Sequence, residues 1–445
     1  MSSLDTVRAV HAALPDGGLF HEKDWRISPR PFGISSALHE ELDKLGYRLL
    51  LFLRACDQLY RLSVKGRQPG WVAEILDRGK PAELVAWQRA HGVAGDIPKV
   101  IRPDLILTDE GFAIAEVDSV PGGIGLTAWL NKTYASLGHK VLGGADGMLQ
   151  GFRQILPGGD IIISEEASTY RPEMEWLAKE LNSSSAGPAW RVLGDESCDD
   201  WQPRIYRFFE LFDLPNVPAA GPLMESAVAG KVSITPPVKP ALEEKLWFAL
   251  FWLKPLQEFW RRELGERAHL ALQRVIPYTW LLDPEPLPRH AVLPRLDAQS
   301  WAEVAGFSQK KRKFIMKISG FSEHAWGSRG VVVASDLPQA EWQSELESAL
   351  KDFSHRPHIL QEFHPGRLVE EMFWLPGMDG LRPMRGRVRL CPYYFVGEKS
   401  VTCGGALATI CPDDKKLLHG MRDAILAPAG VAGVAQALPT LAAGG

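Results

Sequence analysis

Residues 102–125, RPDLILTDEGFAIAEVDSVPGGIG, gather the side chains of this chain best suited to chemistry. Asp104 opens an apolar alternating run (DLILT), Asp109-Glu110-Gly111 reads as a turn, and FAIAEVDS returns as a second strand. Asp-Glu-Gly between two such runs predicts a β-hairpin, because glycine tolerates the positive φ that the loop requires. Side chains alternate along a strand, so Glu116 and Asp118 are expected on one face, and the turn folds Asp104 back beside them. Three acidic oxygen donors on one rigid face suit a Mg²⁺ ion of the kind that also holds phosphates. Arg102, two residues before Asp104, can aim a guanidinium fork at the same spot. The alternative for this segment taken alone is a solvated surface hairpin.

The second strand runs directly into Pro121-Gly122-Gly123-Ile124-Gly125 and an expected helix, IGLTAWLNKTYASLG. A glycine-rich turn that opens a helix presents backbone N–H groups to an anion. The spacing is neither that of a dinucleotide fingerprint nor that of a P-loop. Far along the chain, residues 313–334 read KFIMKISGFSEHAWGSRGVVVA. Lys317 lies on one predicted strand, Gly330 opens the next, and Ser319, Gly327 and other small residues lie between. A hairpin of this composition can close over a triphosphate while the strand lysine supplies a point charge. Next come a short strand, HILQEF, carrying Gln361 and Glu362, and a strand that places Arg387 and Arg389 on one face. The segment Thr402-Cys403-Gly404-Gly405-Ala406-Leu407-Ala408-Thr409 follows.

Strand lysine, Gly/Ser loop, I-L-Q-E-F strand and Arg-x-Arg strand together resemble the nucleotide half of an ATP-grasp ligase. The acidic hairpin precedes the lysine loop, which is similar to the order in the circularly permuted ATP-grasp group that includes glutathionylspermidine synthase-like amide ligases. The resemblance spans about residues 100–410. The family pattern R-x-D, then E-x-N, is matched at Arg102, Asp104 and Glu116 and departed from at Asp118, which still offers an oxygen ligand. The resemblance implies Mg²⁺ on Asp104, Glu116 and Asp118, and ATP phosphates on Lys317 and on a second lysine, for which Lys245 is the candidate. It implies a loop with Ser319, Gly327 and Gly330 that excludes water. It further implies adenine and ribose near Gln361 and Glu362, an acyl phosphate stabilised by Arg102, and a phosphate or carboxylate oriented by Arg387 and Arg389.

Composition narrows the class. With 445 residues the chain exceeds one typical core, so two or three lobes around a shared cleft are expected. A net charge of −4 argues against a dedicated nucleic-acid binder, whose footprint is basic. Five cysteines at scattered spacings, without a C-x-x-C pair, suggest neither a zinc site nor a disulfide framework. Reduced thiols and the absence of a recognisable signal peptide make the cytoplasm the expected compartment. The most apolar window, LWFALFWLKPLQEFW, is broken by Lys254 and Pro255, too short to span a bilayer, and expected to bury Trp247, Trp252 and Trp260.

The fold class read from this pattern is α/β. Residues 1–98 form a mainly helical region, including a long amphipathic helix from Ser35 to about Leu62 with Leu42, Leu45, Leu49, Leu50 and Phe52 on its apolar stripe. Residues 99–235 hold the acidic hairpin and an α/β lobe whose strands GDIII, AWRVLG and RIYRF alternate with helix, as in a mostly parallel sheet. In such sheets ligands sit past the strand ends, which brings Ser164, Glu165 and Glu166 to the cleft, with Ser119 beside the PGG turn. Residues 221–240 read as an extended connector, 236–300 as a helical connector, 301–426 as the nucleotide lobe, and 427–445 as a flexible tail. The expected function is ATP- and Mg²⁺-dependent joining of a small-molecule carboxylate and an amine. An inactive nucleotide-binding scaffold and a metal-dependent hydrolase are the alternatives. The acid, the amine and the oligomeric state are not legible.

Overall fold

The computed structural model describes residues 1–19, 25–183, 187–196, 200–288, 291–325, 329–398, 400–418 and 423–431. Its strands, in chain order, are β1 (Arg26–Ile27), β2 (Phe32–Ile34), β3 (Val100–Thr108), β4 (Gly111–Asp118), β5 (Gly159–Ile163), β6 (Trp190–Gly194), β7 (Arg204–Phe208) and β8 (Ser233–Thr235). They continue with β9 (Thr279–Leu281), β10 (Phe314–Ile318), β11 (Val331–Val333), β12 (His358–Glu362), β13 (Leu368–Phe373), β14 (Arg382–Val396), β15 (Val401–Pro412) and β16 (Ile425–Val431).

Three sheets result. The largest runs β1-β16-β15-β14-β3-β4, with β13 added on β14 and β2 on β16. A second, antiparallel sheet has the order β11-β10-β12-β9, and a third, wholly parallel sheet has the order β6-β5-β7-β8. The parallel sheet follows from its sequence: Ile161, Ile162 and Ile163 are all buried, as a strand covered on both faces requires. The acidic hairpin forms as expected, although its first strand begins at Val100 rather than at Asp104.

One face of the large sheet builds the core and the other the site. Along β14, Val388 and Leu390 point into a core shared with the helix Ser36–Val64, while Arg389 and Cys391 point away from it. That helix starts at Ser35, whose side chain accepts from the Leu38 N–H, and it buries Leu42, Leu45, Leu49, Leu50 and Phe52. Tyr394 ties sheet to helix by donating to the Leu42 carbonyl at 2.7 Å. Phe52 stacks on Trp260 with ring centroids 5.6 Å apart, and Trp247 meets the same ring edge-on. Trp247 and Trp260 are buried as expected; Trp252 is only partly so and packs on Tyr278.

Two expectations are corrected. The region 221–240 is not an extended connector: Ala220–Val228 is a helix with Leu223 and Met224 in an apolar core, followed by β8. Within the N-terminal region, β1 and β2 join β16 in parallel. The chain from 427 to Val431 is not a tail but the rest of β16, buried as far as Gly430 because small Ala and Gly residues pack closely between β2 and β15. Residues 432–445 lie outside the described residues.

Candidate active site

A cavity of about 600 Å³ separates the large sheet from the antiparallel sheet. Its floor comes from β3, β4, β14, β15 and β16, its roof from Ile315, Lys317, Val331 and Gln361, and its side from Gly122, Gly123, Glu166 and Tyr170. Phe363, His364 and Gly366, where the chain passes from β12 to β13, line it at the junction of the two sheets.

The acidic hairpin and the lysine strand meet across this space. Cross-strand register sets Arg102 opposite Asp118 and Asp104 opposite Glu116, then slips between Asp104 and Leu105, so that Ala115 is the extra residue of a β-bulge. The carbonyl of Ala115 accepts from the Lys317 ammonium at 2.6 Å. Gln361, the cross-strand neighbour of Ile315, holds the same ammonium through its Oε1 at 2.9 Å and donates to the Thr279 hydroxyl. Burial lowers the Lys317 pKa to about 8, with Glu116 opposing the shift and Lys245 adding to it. The bulge also explains why Ala113 shares the cavity face with Asp118, which strict alternation forbids.

Charge on the floor is compensated locally. Arg102 donates from Nε to Asp104 at 3.0 Å, pairs through a terminal nitrogen with Asp118 at 2.9 Å, and donates to the Gly122 carbonyl at 3.1 Å. Arg389 reaches the other Asp104 oxygen at 3.1 Å. The Cys391 thiol lies 3.4 Å from Asp104, and burial beside that carboxylate pushes it up to about 12. Asp118 accepts the Val120 N–H at 2.8 Å; burial raises its pKa, Arg102 opposes this, and Glu116 and Asp104 reinforce it. Glu116 is the least engaged of the three: among the described residues its ion pair is a loose one, with Lys245 at 3.8 Å.

Several expected residues fall elsewhere. Lys245 sits beside the main cavity, in a smaller one of about 50 Å³ shared with Glu116, Asp118, Ser119 and Glu210, and donates to the Ala325 carbonyl. Arg387 is not a cavity residue: its nitrogens donate to the Gly366 and Asp413 carbonyls, which fixes the approach to β13. Ser319 is buried behind the strand, and Gly330 is a packing glycine, since a Cβ there meets Ile318 and the His324 carbonyl. Gly327 lies outside the described residues. Glu362 lines the cavity and approaches Arg295 at 3.5 Å. Glu166 reaches it too and pairs with Arg329 of the antiparallel lobe at 3.6 Å; Ser164 and Glu165 do not line it.

The helix that follows the PGG turn is not open to an external anion. The carboxylate of Glu173 accepts the Gly123 N–H at 2.7 Å and the Leu126 N–H at 2.8 Å. Burial raises the Glu173 pKa to about 7, against the pull of those N–H groups and of Arg102. Gly123 is required twice over: its φ is 86°, and a Cβ there comes within 2.6 Å of the Tyr393 hydroxyl. Tyr393, Glu173, Cys391 and Thr409 were not expected from sequence. No short motif marks them, although position on β14 and β15 at even spacing from Arg389 brings Cys391 and Tyr393 to the same face.

No protein-family model matches this chain, and no curated protein matches it in sequence. Among solved structures it is similar to a glutathione synthetase-like effector from Globodera pallida, solved in the apo form. That alignment covers 97% of this chain and 98% of the other, with a TM-score of 0.56 at 11% identity. A putative gamma-glutamylcysteine synthetase from Methylobacillus flagellatus KT aligns over 80% of this chain and 87% of its own, with a TM-score of 0.39 at 12% identity. The first likeness is one of fold. It spans 97% of this chain, and it agrees with the mixed α/β architecture of the three sheets described above.

Two groups expected from the sequence can be tested against these residues. A nucleotide fits: the volume lies in the range of small-molecule pockets, apolar Ile315, Val331 and Phe363 offer a surface for a flat ring, and Lys317, Arg102 and Arg389 offer cations for phosphates. A divalent cation held by Asp104, Glu116 and Asp118 does not fit as they stand. Among the described residues no group of three acidic, His or Cys side chains is arranged as metal ligands. The reason is Arg102, which lies between Asp104 and Asp118 and supplies the positive charge that a metal would bring. The three carboxylates expected to hold the metal nevertheless line one cavity, two of them paired with Arg102.

Proposed function

We propose that this chain is an ATP-dependent carboxylate–amine ligase, of circularly permuted ATP-grasp type, that releases ADP and phosphate. The observation that carries the reading is the Lys317 ammonium, buried on β10 and held 2.6 Å from the bulged carbonyl of the acidic hairpin, at the roof of a nucleotide-sized cavity. A carboxylate is a poor acyl donor because its oxyanion is a poor leaving group. ATP supplies the γ-phosphoryl group that turns it into an acyl phosphate, releasing ADP; an amine then attacks the acyl carbon, loses a proton and expels phosphate.

The chain's own residues have the tasks of binding, orienting and neutralising. Lys317, fixed by Gln361, serves as a point charge for a phosphate. Arg102 and Arg389 are fixed guanidinium groups, both oriented by Asp104, for the negative charge that develops on the transferring group or on the tetrahedral adduct. Glu362 and the 363–366 segment are suited to the ribose and the base. Glu116, the least engaged carboxylate, is suited to accept an amine proton. Support for this division comes from burial: charges that act in a water-poor site need no reorganisation when the reaction occurs.

Calorimetric titration with ATP, followed by an ADP-release assay over paired amino acids, dipeptides and polyamines, tests the reading. ADP release that requires both an acid and an amine is the expected result. Nucleotide binding without ADP for every pair moves the assignment to a scaffold, and turnover without nucleotide moves it to a hydrolase.

A further inference from the structure

One cross-strand row of the cavity floor carries two polar groups with nothing to bond. Register aligns Ala113 with Ile106, Ile106 with Arg389, Arg389 with Thr409, and Thr409 with Leu426, so the five side chains share a face, and all five line the cavity. Three are apolar. Thr409 is 1% exposed, and its hydroxyl has no hydrogen-bond partner among the described residues. The Nε of Arg389 is equally buried and equally unpartnered, while a terminal nitrogen of the same guanidinium holds Asp104 at 3.1 Å. A buried polar group without a partner is costly, and most such groups are satisfied by protein, water or ligand. Here two donors stand on adjacent strands, on residues that line one cavity, and the guanidinium cannot shed its charge to avoid the cost.

We propose that the Thr409 hydroxyl and the Arg389 Nε–H together receive one anionic oxygen of the ligand, a carboxylate or phosphoryl oxygen. This makes Thr409 a binding residue of the cavity and places the acidic end of a substrate over β14 and β15. It rests on the ligase reading only for the identity of the ligand, since the donor pair exists whatever the reaction is. A hydroxyl adds a donor without further charge on a floor where Asp104 and Asp118 already pair with Arg389 and Arg102.

Thr409→Val removes the hydroxyl and keeps the shape; Thr409→Ser keeps the hydroxyl. Thermal-shift and calorimetric titrations of the full chain with adenosine, AMP-PNP, inorganic phosphate and butyrate read the effect. Thr409→Val is expected to weaken at least one anionic probe about tenfold, as for a hydrogen bond to a charged group, with Thr409→Ser close to wild type. Loss of AMP-PNP or phosphate binding identifies a phosphoryl oxygen, and loss of butyrate binding a carboxylate. The apo melting temperature of Thr409→Val is expected to equal or exceed that of the wild type, because no internal hydrogen bond is broken. Unchanged binding of every anionic probe overturns the proposal, as does an apo melting temperature lowered by several degrees. Failure of adenosine and AMP-PNP to bind even the wild type defeats the nucleotide reading instead and leaves phosphate and butyrate to decide on Thr409.

Discussion

Lys317 and Ala115 stand 202 positions apart in the chain, yet the ammonium of one lies 2.6 Å from the carbonyl oxygen of the other. That bond pins the antiparallel sheet to the floor at one atom of a β-bulge. It also leaves a buried cation whose charge is sensitive to pH.

Burial depresses the Lys317 pKa to about 8, so apo stability and nucleotide affinity should respond to alkali in opposite directions. Between pH 8 and the usual lysine value the unfolded chain binds the extra proton, so stability attributable to this residue rises, by at most about 1.4 kcal/mol per pH unit. Phosphate binding loses its point charge over the same window and weakens. Urea melts and ATP titrations from pH 7 to 9.5 measure both trends. Lys317→Met should flatten both, and an ATP affinity that is level through pH 9 in the wild type would remove Lys317 from the phosphate site.

Two arginines on one strand should behave unlike each other. Arg389 faces the cavity, whereas Arg387 is spent on two backbone carbonyls. Replacing Arg389 by Met should lower turnover by about 10²–10³, the usual cost of a lost charge-stabilising contact. Arg387→Met should leave kcat within a few-fold and lower stability instead. Equal kinetic defects in the two variants would contradict the assigned geometry.

Asp104 is the counter-charge for both Arg102 and Arg389 and is 5% exposed. Asp104→Asn leaves two buried guanidinium groups short of a partner, which should cost about 3–5 kcal/mol in chemical denaturation. Asp118→Asn, at a more exposed position whose arginine keeps Asp104, should cost less. Because guanidinium charge already fills this space, Mg²⁺ added to the nucleotide-free protein should give no calorimetric signal. A clear stoichiometric binding isotherm with Mg²⁺ alone would show that Arg102 yields its place.

Glu173 sets a second pH dependence. Its folded-state pKa is raised to about 7 by burial, above the ordinary glutamate value. A raised acid favours the folded state fully below the unfolded pKa, and that contribution is lost as pH rises toward 7. Stability should therefore fall across about pH 4.5–7, by at most about 1.4 kcal/mol per unit from this group. Glu173→Gln should erase that slope, and Glu173→Ala should cost about 1–3 kcal/mol at all pH values by orphaning the Gly123 and Leu126 N–H groups. Difference curves between these variants and the wild type isolate the term.

The parts of the site that sequence made legible are those that depend on local pattern. Alternation around Asp109-Glu110-Gly111 is enough for the hairpin, and the apolar run ending at Lys317 is enough for its strand, because each obeys a two-residue period. What pattern does not carry is register between distant strands. The bulge at Ala115 comes from a slipped pairing, and the neighbours of Arg389, namely Thr409 and Ile106, are set by strands far apart in sequence. Glu173 reads as an ordinary first-turn acid of the helix Arg171–Ser183, and only tertiary packing aims it at another helix. The helix Ala220–Val228 was hidden by the prolines of this stretch, of which Pro222 falls in the helix's own first turn, where a missing N–H breaks no intrahelical bond. Arg387 and Arg389 are equivalent by spacing and differ only in what the 364–366 segment and Asp413 offer to one of them.

The cavity floor takes β3 and β4 from the first third of the chain and β14, β15 and β16 from residues 382–431. Its central pairing, β14 on β3, therefore has no partner during most of synthesis on the ribosome. Until then Ile101, Leu105 and Leu107 belong to a hairpin with one bare edge, the kind of surface to which other chains adhere. Emergence of this protein in usable form should thus be governed by how long that early ribbon stays soluble while some two hundred and sixty further residues are added.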